Sequence, residues 1–256
     1  MRFKDKVVMI SGAGTGFGRV AAQRFAEEGA RLSLCDINAD TLAETAGLVG
    51  GDVLTSTVDV SSEEDQQRWV DETVGKYGRI DIALNNAGVI HELKSMLNTP
   101  LSEYDRMMSI NARGTFIGMR CEIPVMIKQG GGVILNTASV AGLIGAPAFG
   151  AYVASKHAVV GMTKTAALEY GKAGVRVNAI CPAYADTPML ENIAQELKDP
   201  EENDQQTTYD RLSKGLPLGR VGSAREIVDV MLMMCDPSNT FMTGQCVAVD
   251  GGLTAN

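Results

Sequence analysis

The chain has 256 residues, 45% of them hydrophobic and 21% charged, with 28 glycines; this balance fits one α/β domain rich in tight turns and excludes a largely disordered chain. A formal charge of -8 disfavours nucleic acid as a partner, because phosphate contacts need clustered Lys and Arg. The start, Met1 to Lys6, runs into a short apolar run with neither a membrane-length segment nor a small-residue cleavage signal, so a cytoplasmic protein without membrane contact is expected.

Val7–Ile10 reads as the first strand, and Ser11-Gly12-Ala13-Gly14-Thr15-Gly16-Phe17-Gly18 follows, leading into a helix over Arg19–Glu28. Glycines let the backbone turn sharply and approach a pyrophosphate, whose charge suits the free amides and positive dipole of the helix start. Gly12, Gly16 and Gly18 form G-x3-G-x-G, a spacing that differs from G-x-G-x-x-G. Alone, such a turn is also an ordinary strand-to-helix connection.

The second strand, Arg31–Cys35, ends at Asp36, where a carboxylate can accept from the adenine ribose hydroxyls and repel a 2′-phosphate. Neither Thr15 nor Ile37 is basic, so NAD (NADH) is expected over NADP. The alternative is that Asp36 only caps the turn through Asn38. A helix over Asp40–Val49, a strand over Val53–Val58 ending at Asp59-Val60, and a helix over Glu63–Lys76 capped from Ser61-Ser62 come next. The fourth strand, Ile80–Leu84, ends in Asn85-Asn86-Ala87-Gly88, again polar or small at a carboxyl end, although turn chemistry alone would use the same residues.

Ser102–Lys128 reads as one long helix, and Gly132–Thr137 as the fifth strand, closing at Ser139. The helix over Tyr152–Lys172 opens with Tyr152 and Lys156 four residues apart, hence on one face. A free phenol, with a pKa of about 10, is a poor base at neutral pH, but one positive charge at roughly 5 Å and an effective dielectric of about 20 supplies on the order of 3 kcal/mol, or about two pKa units. Lys156 is expected to lower the pKa of Tyr152, with Ser139 reaching the same space. Taken alone, Y-x-x-x-K reads as a packed ring beside a wet lysine.

After the sixth strand, Arg176–Cys181, the segment Glu191–Pro217 is strongly acidic and reads as a solvated insertion, expected to act with Tyr184 as a substrate lid over 184–217; a passive surface excursion is the alternative. A helix over Ala224–Cys235 and a strand over Cys246–Val249 complete the chain. Strands alternating with helices imply a parallel sheet covered on both faces. The five cysteines, at 35, 121, 181, 235 and 246, are scattered and read as reduced core residues, and no metal site is expected. His91 and His157 read as structural, His91 with a substrate contact as the alternative. The methionines at 107, 108, 119, 126, 231, 233 and 234 read as core or subunit-contact residues.

From Lys6 to Gly252 the chain resembles the short-chain dehydrogenase/reductase family, on the Gly12, Gly16, Gly18 turn, Asp59, Asn85 to Gly88, Asn111, Ser139, Tyr152, Lys156 and Asp250-Gly251-Gly252. The resemblance implies a Rossmann-type doubly wound domain over 1–256 with a seven-stranded parallel sheet, and a homotetramer. It implies hydride transfer between NAD(H) and a secondary alcohol or ketone, with Tyr152 as general acid and base, Ser139 on the substrate oxygen, Lys156 also on the nicotinamide ribose, and Asn111 completing a tetrad through a water.

It places Thr187 near the nicotinamide carboxamide and Asp59 and Asn86 near adenosine, and extends the expected cofactor contacts to Thr15, Phe17, Ile37, Val60, Ala87, Gly88 and Pro182. Val140, Leu143, Ile144, Tyr184, Met189 and Leu190 are the candidate pocket residues beside Ser139, suited to a neutral, partly apolar molecule. Two departures stand out: Ser11 replaces the usual Thr, and Ala183 the usual Gly. Reduction of a 3-oxoacyl thioester and NAD(H) sensing without turnover remain alternatives.

Overall fold

The computed structural model describes residues 1–197 and 205–255. In chain order the elements are β1 (Val7–Ser11), α1 (Gly16–Glu27), β2 (Arg31–Asp36), α2 (Ala39–Val49), β3 (Val53–Thr57), α3 (Glu63–Tyr77), β4 (Ile82–Asn85) and α4 (Leu101–Met107). They continue with α5 (Gly114–Lys128), β5 (Gly132–Thr137), α6 (Gly150–Tyr170), β6 (Val175–Pro182), β7 (Ala185–Asp186), α7 (Pro188–Leu197), α8 (Gln205–Ser213), β8 (Gly222–Ser223), α9 (Ala224–Cys235) and β9 (Cys246–Val249).

Seven strands form one parallel sheet in the order β3-β2-β1-β4-β5-β6-β9, as expected. Strand residues alternate between faces, and both faces of the central strands are covered, which is why β1 and β4 read as short apolar runs. Val8, Ile10, Leu32 and Leu34 pack against Ala21 and Phe25 of α1 and Val228 and Leu232 of α9. Met9, Cys35, Ala83 and Ile134 face the other way, onto Trp69 of α3, Ile117 of α5 and Ala166 of α6. The chain leaves β1 in one direction for β2 and returns on its other side at β4, so a crevice opens at the strand carboxyl ends between them.

Asn38 and Ser62 cap α2 and α3, each accepting from amides of the first helical turn. The long helix expected over Ser102–Lys128 is interrupted: between α4 and α5, Met108–Arg113 winds as a wider π-helical segment that contains Asn111. The acidic segment is also less solvated than its charge implied. Leu190, Ile193 and Ala194 of α7 lie at helical spacing and are buried, while Lys198, Asp199, Glu201, Glu202 and Asp204 lie outside the described residues. No helix among the described residues is long and apolar enough to cross a membrane.

A buried polar network ties the middle of the sheet to its helices. Asn85 Nδ2 donates to Glu122 Oε2 of α5 and to Asn136 Oδ1 of β5, both at 3.1 Å, and Asn136 Nδ2 donates to Thr163 Oγ1 of α6 at 2.9 Å. Glu122 is only 1% exposed. Cys35, Cys121, Cys181 and Cys235 are buried and Cys246 half-buried, all as free thiols.

Candidate active site

The turn after β1 is built around glycines for two steric reasons. Gly12 has φ +63 and a Cβ there would stand 2.8 Å from Ala87 Cα, while a Cβ at Gly18 would stand 2.0 Å from the Gly12 carbonyl oxygen. Thr15, at the start of α1, makes no side-chain cap, and the first turn carries no acid, so the amides and positive end of α1 stay open toward the crevice. That cradle fits a pyrophosphate. Ser11 keeps the role its hydroxyl permits: Oγ accepts from the amides of Asn86 and Ala87 at 3.0 and 3.1 Å, and Asn86 Nδ2 returns a bond to the Ser11 carbonyl at 3.0 Å. The glycine turn and the end of β4 are thereby locked together.

A cavity of about 580 Å3 runs from this turn to Tyr152. Gly12, Thr15, Gly16, Phe17, Asp36, Ile37, Asp59, Val60, Asn86, Ala87, Gly88, Pro182 and Thr187 line it beside Ser139, Tyr152 and Lys156. Gly18 does not line it and instead packs beneath the turn. Asp36 is held at both oxygens, Oδ2 by the Gly14 amide at 2.8 Å and Oδ1 by the Asn38 amide at 3.0 Å. It therefore does brace the turn after β2 while also facing the cavity.

Ser139 stands just beyond β5, its Oγ bonded to the Ala141 amide at 3.2 Å and to the Pro182 carbonyl at 3.4 Å. Tyr152 and Lys156 rise from the first turns of α6, with Lys156 Nζ 5.6 Å from the Tyr152 ring centre and donating to the Thr137 carbonyl at 2.8 Å. Asn111 is buried behind them. Its Oδ1 accepts from the Val89 amide at 2.8 Å, its Nδ2 donates to the Val89 carbonyl at 2.9 Å and to Ser155 Oγ at 3.0 Å, and its carbonyl takes the Thr115 hydroxyl at 2.8 Å. A Cβ at Gly88 would meet Asn111 Oδ1 at 3.2 Å and Lys156 Nζ at 3.4 Å, so these three residues pack as one group.

The electrostatics differ from the expectation for Tyr152. Burial pushes its phenol up to about 12, opposed by the hydrogen bond with Ser139, and burial lowers Lys156 to about 8. In the protein alone desolvation outweighs the nearby ammonium.

The pocket beyond these groups is apolar: Val140, Ile144, Phe149, Tyr184, Met189 and Leu190 line it. Leu143 does not; it packs against the Ala138, Val159 and Cys181 cluster below. Ile90, Phe149 and Ile193, which sequence reasoning passed over, do line it; the spacing of Leu190 and Ile193 was the available signal. Ser155 was missed because a serine inside a helix has no periodic signature. His91 proves 97% buried by its 3% exposure, with its ring 6.1 Å from that of Phe149, whereas His157 is exposed and bonds the Val153 carbonyl.

Residues 12–254 match a family model described as enoyl-(acyl carrier protein) reductase. Levodione reductase of Leifsonia aquatica is 39% identical over 99% of this chain and 96% of its own length. Cyclohexanol dehydrogenase of Acinetobacter sp. (strain SE19) is 34% identical over 99% and 97%. Among solved structures, an NAD+-bound xylitol dehydrogenase superposes with a TM-score of 0.92 at 33% identity, covering 98% of this chain and 100% of that one. The parallel sheet, the glycine turn opening on its crevice and these matches together establish that the chain belongs to the short-chain dehydrogenase/reductase family.

Proposed function

We propose that this enzyme moves hydride between NAD(H) and a secondary alcohol or its ketone, preferably one carried on an apolar ring, with Tyr152 transferring the hydroxyl proton. The observation that carries the reading is the convergence of Ser139, Tyr152 and Lys156 on the wall of the cavity that begins at the glycine turn and Asp36. The bound nicotinamide supplies the hydride chemistry. With its pKa raised to about 12, Tyr152 holds its proton at neutral pH and stands ready as the acid when a ketone is reduced, Ser139 bonding the same oxygen.

In the oxidation direction the phenol must ionise, and the positive charges of Lys156 and of the oxidised nicotinamide, when bound, would favour the phenolate against the burial that raises it. Asn111, bonded to Val89 and Ser155, holds the loop after β4 against α6. An apolar wall of Val140, Phe149, Tyr184, Met189 and Leu190 favours a neutral substrate, in keeping with the cyclic alcohol named in one relative. Asp36 at the cavity and the absence of a basic residue at Thr15 or Ile37 support NAD over NADP. A second reading, reduction of a 3-oxoacyl thioester, is supported by a 3-oxoacyl-[acyl-carrier-protein] reductase of Thermotoga maritima that is 35% identical over 99% of this chain.

We also read residues 184–217 as a substrate lid, of which 198–204 lie outside the described residues, and the assembly as a homotetramer in the cytoplasm. The test is Tyr152→Phe with a panel of cyclic and acyclic secondary alcohols, ketones and 3-oxoacyl thioesters. We expect kcat to fall by about 10²–10⁴-fold with NAD+ affinity retained. Undiminished turnover would overturn the role of Tyr152, and preferential turnover of the thioester would replace the leading substrate class.

A further inference from the structure

Asp36 carries the cofactor preference proposed above, but it does not hold its own position. The Gly14 amide donates to its Oδ2 at 2.8 Å, across the turn from the Asn38 amide on Oδ1. Gly14 does not adopt a left-handed φ, so its backbone conformation makes no demand for glycine. Space makes the demand. A Cβ at Gly14 would stand 2.4 Å from Thr41 Oγ1, 2.8 Å from Asp36 Oδ2 and 3.0 Å from Asp36 Cγ.

The Gly14 peptide has little room to retreat. Arg19 Nε donates to its carbonyl at 2.9 Å, the Thr45 hydroxyl approaches the same oxygen at 3.4 Å, and the preceding Ala13 amide is bonded to the Cys35 carbonyl at 3.0 Å. Any side chain at position 14 is therefore accommodated by moving the Asp36 carboxylate or the Thr41 hydroxyl. Arg19 itself, the cation nearest this turn, is committed elsewhere: its guanidinium also bonds the Thr45 hydroxyl, the Thr41 carbonyl and Glu44 at 2.8 Å. It is not free to receive a 2′-phosphate.

We infer that Gly14 is a specificity-determining positioning residue, which fixes the Asp36 carboxylate where it accepts from the adenosine ribose hydroxyls and repels a 2′-phosphate. Discrimination between NAD and NADP then belongs to the Gly14–Asp36 pair rather than to Asp36 alone. The inference rests on the NAD preference proposed above.

A double-mutant cycle of Gly14→Ala and Asp36→Ala, with NAD+ and NADP+ binding to each variant measured by titration calorimetry, tests it. Gly14→Ala is expected to weaken NAD+ binding on the order of tenfold while changing NADP+ far less, since one charge-assisted hydrogen bond to the ribose is lost and the repulsion is displaced. In the Asp36→Ala background the same substitution should leave the NAD+/NADP+ ratio unchanged. Equal loss for both cofactors, an unchanged ratio, or the same ratio change in both backgrounds would overturn the inference.

Should Gly14→Ala fail to fold, Gly14→Ala/Thr41→Ala removes the nearest obstacle and leaves Asp36 alone to give way; its ratio should fall, while that of Thr41→Ala should not. A wild-type preference for NADP+ would sink the cofactor reading itself, a result separate from any coupling found in the cycle.

Discussion

Glu122 carries a pH dependence that the reaction does not use. Buried on α5 with one amide donor, Asn85, its carboxyl is pushed up from an ordinary 4.5 to about 7 by desolvation. Between those values the folded chain binds a proton that the unfolded chain has lost, so stability declines as pH rises through this window and then levels off above about 7. The shift corresponds to on the order of 3 kcal/mol. Glu122→Gln keeps an acceptor for Asn85 and should recover most of that at pH 8 but little near pH 4.5, measured by urea unfolding at both. Equal gains at the two pH values would show that ionisation is not the cause. Position 122 sits in Met119-Arg120-Cys121-Glu122-Ile123, where a charge reads as one more solvated residue. Tyr152 and Lys156 stood out by their order after the glycine turn, Asp36 and Ser139 rather than by their spacing alone, and the rise of the phenol was not legible, because desolvation comes from Phe149, Ala141 and other residues packed around it.

At the scale of elements, the seven strands of the main sheet were legible because the central ones, such as β1 and β4, are short buried apolar runs, and their ends could be placed to within a residue or two; the two-residue β7 and β8 carry no such run. The sharpest departure was α7, where abundant acids concealed the buried stripe of Leu190, Ile193 and Ala194. One of those acids has a specific partner: Glu196 Oε2 accepts from the Leu93 amide at 2.7 Å, joining α7 to the loop after β4 across the mouth of the pocket residues Met189 and Ile90. Glu196→Ala should loosen this closure and raise the substrate KM by about two- to tenfold, the loss of a single hydrogen bond, while leaving kcat nearly intact. Steady-state kinetics decides it; an unchanged KM would mean that α7 holds its place without Leu93.

For the whole molecule, a charge of -8 opposes self-association, yet large apolar side chains remain outside on neighbouring helices: Leu101 at 81% and Tyr104 at 42% exposed on α4, and Phe116 at 51% on α5. The proposed tetramer would cover such a face, and Phe116→Glu should then shift the sedimenting species toward smaller mass without loss of folded helix content. A monomeric wild type would remove the proposal. Packing among α1, α9 and the sheet was readable from periodicity, whereas no pattern in one chain separates an apolar face meant for a second copy from one meant for the core.

The π-helical segment at Met108–Arg113 bears on how far this molecule tolerates shortening. A regular α-helix advances about 100° per residue, so one residue more or less rotates everything beyond it by that angle. The wider turn absorbs the extra residue instead: Met107 faces inward before the segment and Ile117, Cys121 and Glu122 face inward after it, with Asn111 turned to Val89 and Ser155 between them. Deleting a residue there would produce a more regular helix by every local criterion. It would leave the buried faces of α4 and α5 in register, because the wider turn takes up one residue without rotating its flanks, but would draw Asn111 away from Val89 and Ser155, so the irregular winding is what holds that side chain against α6.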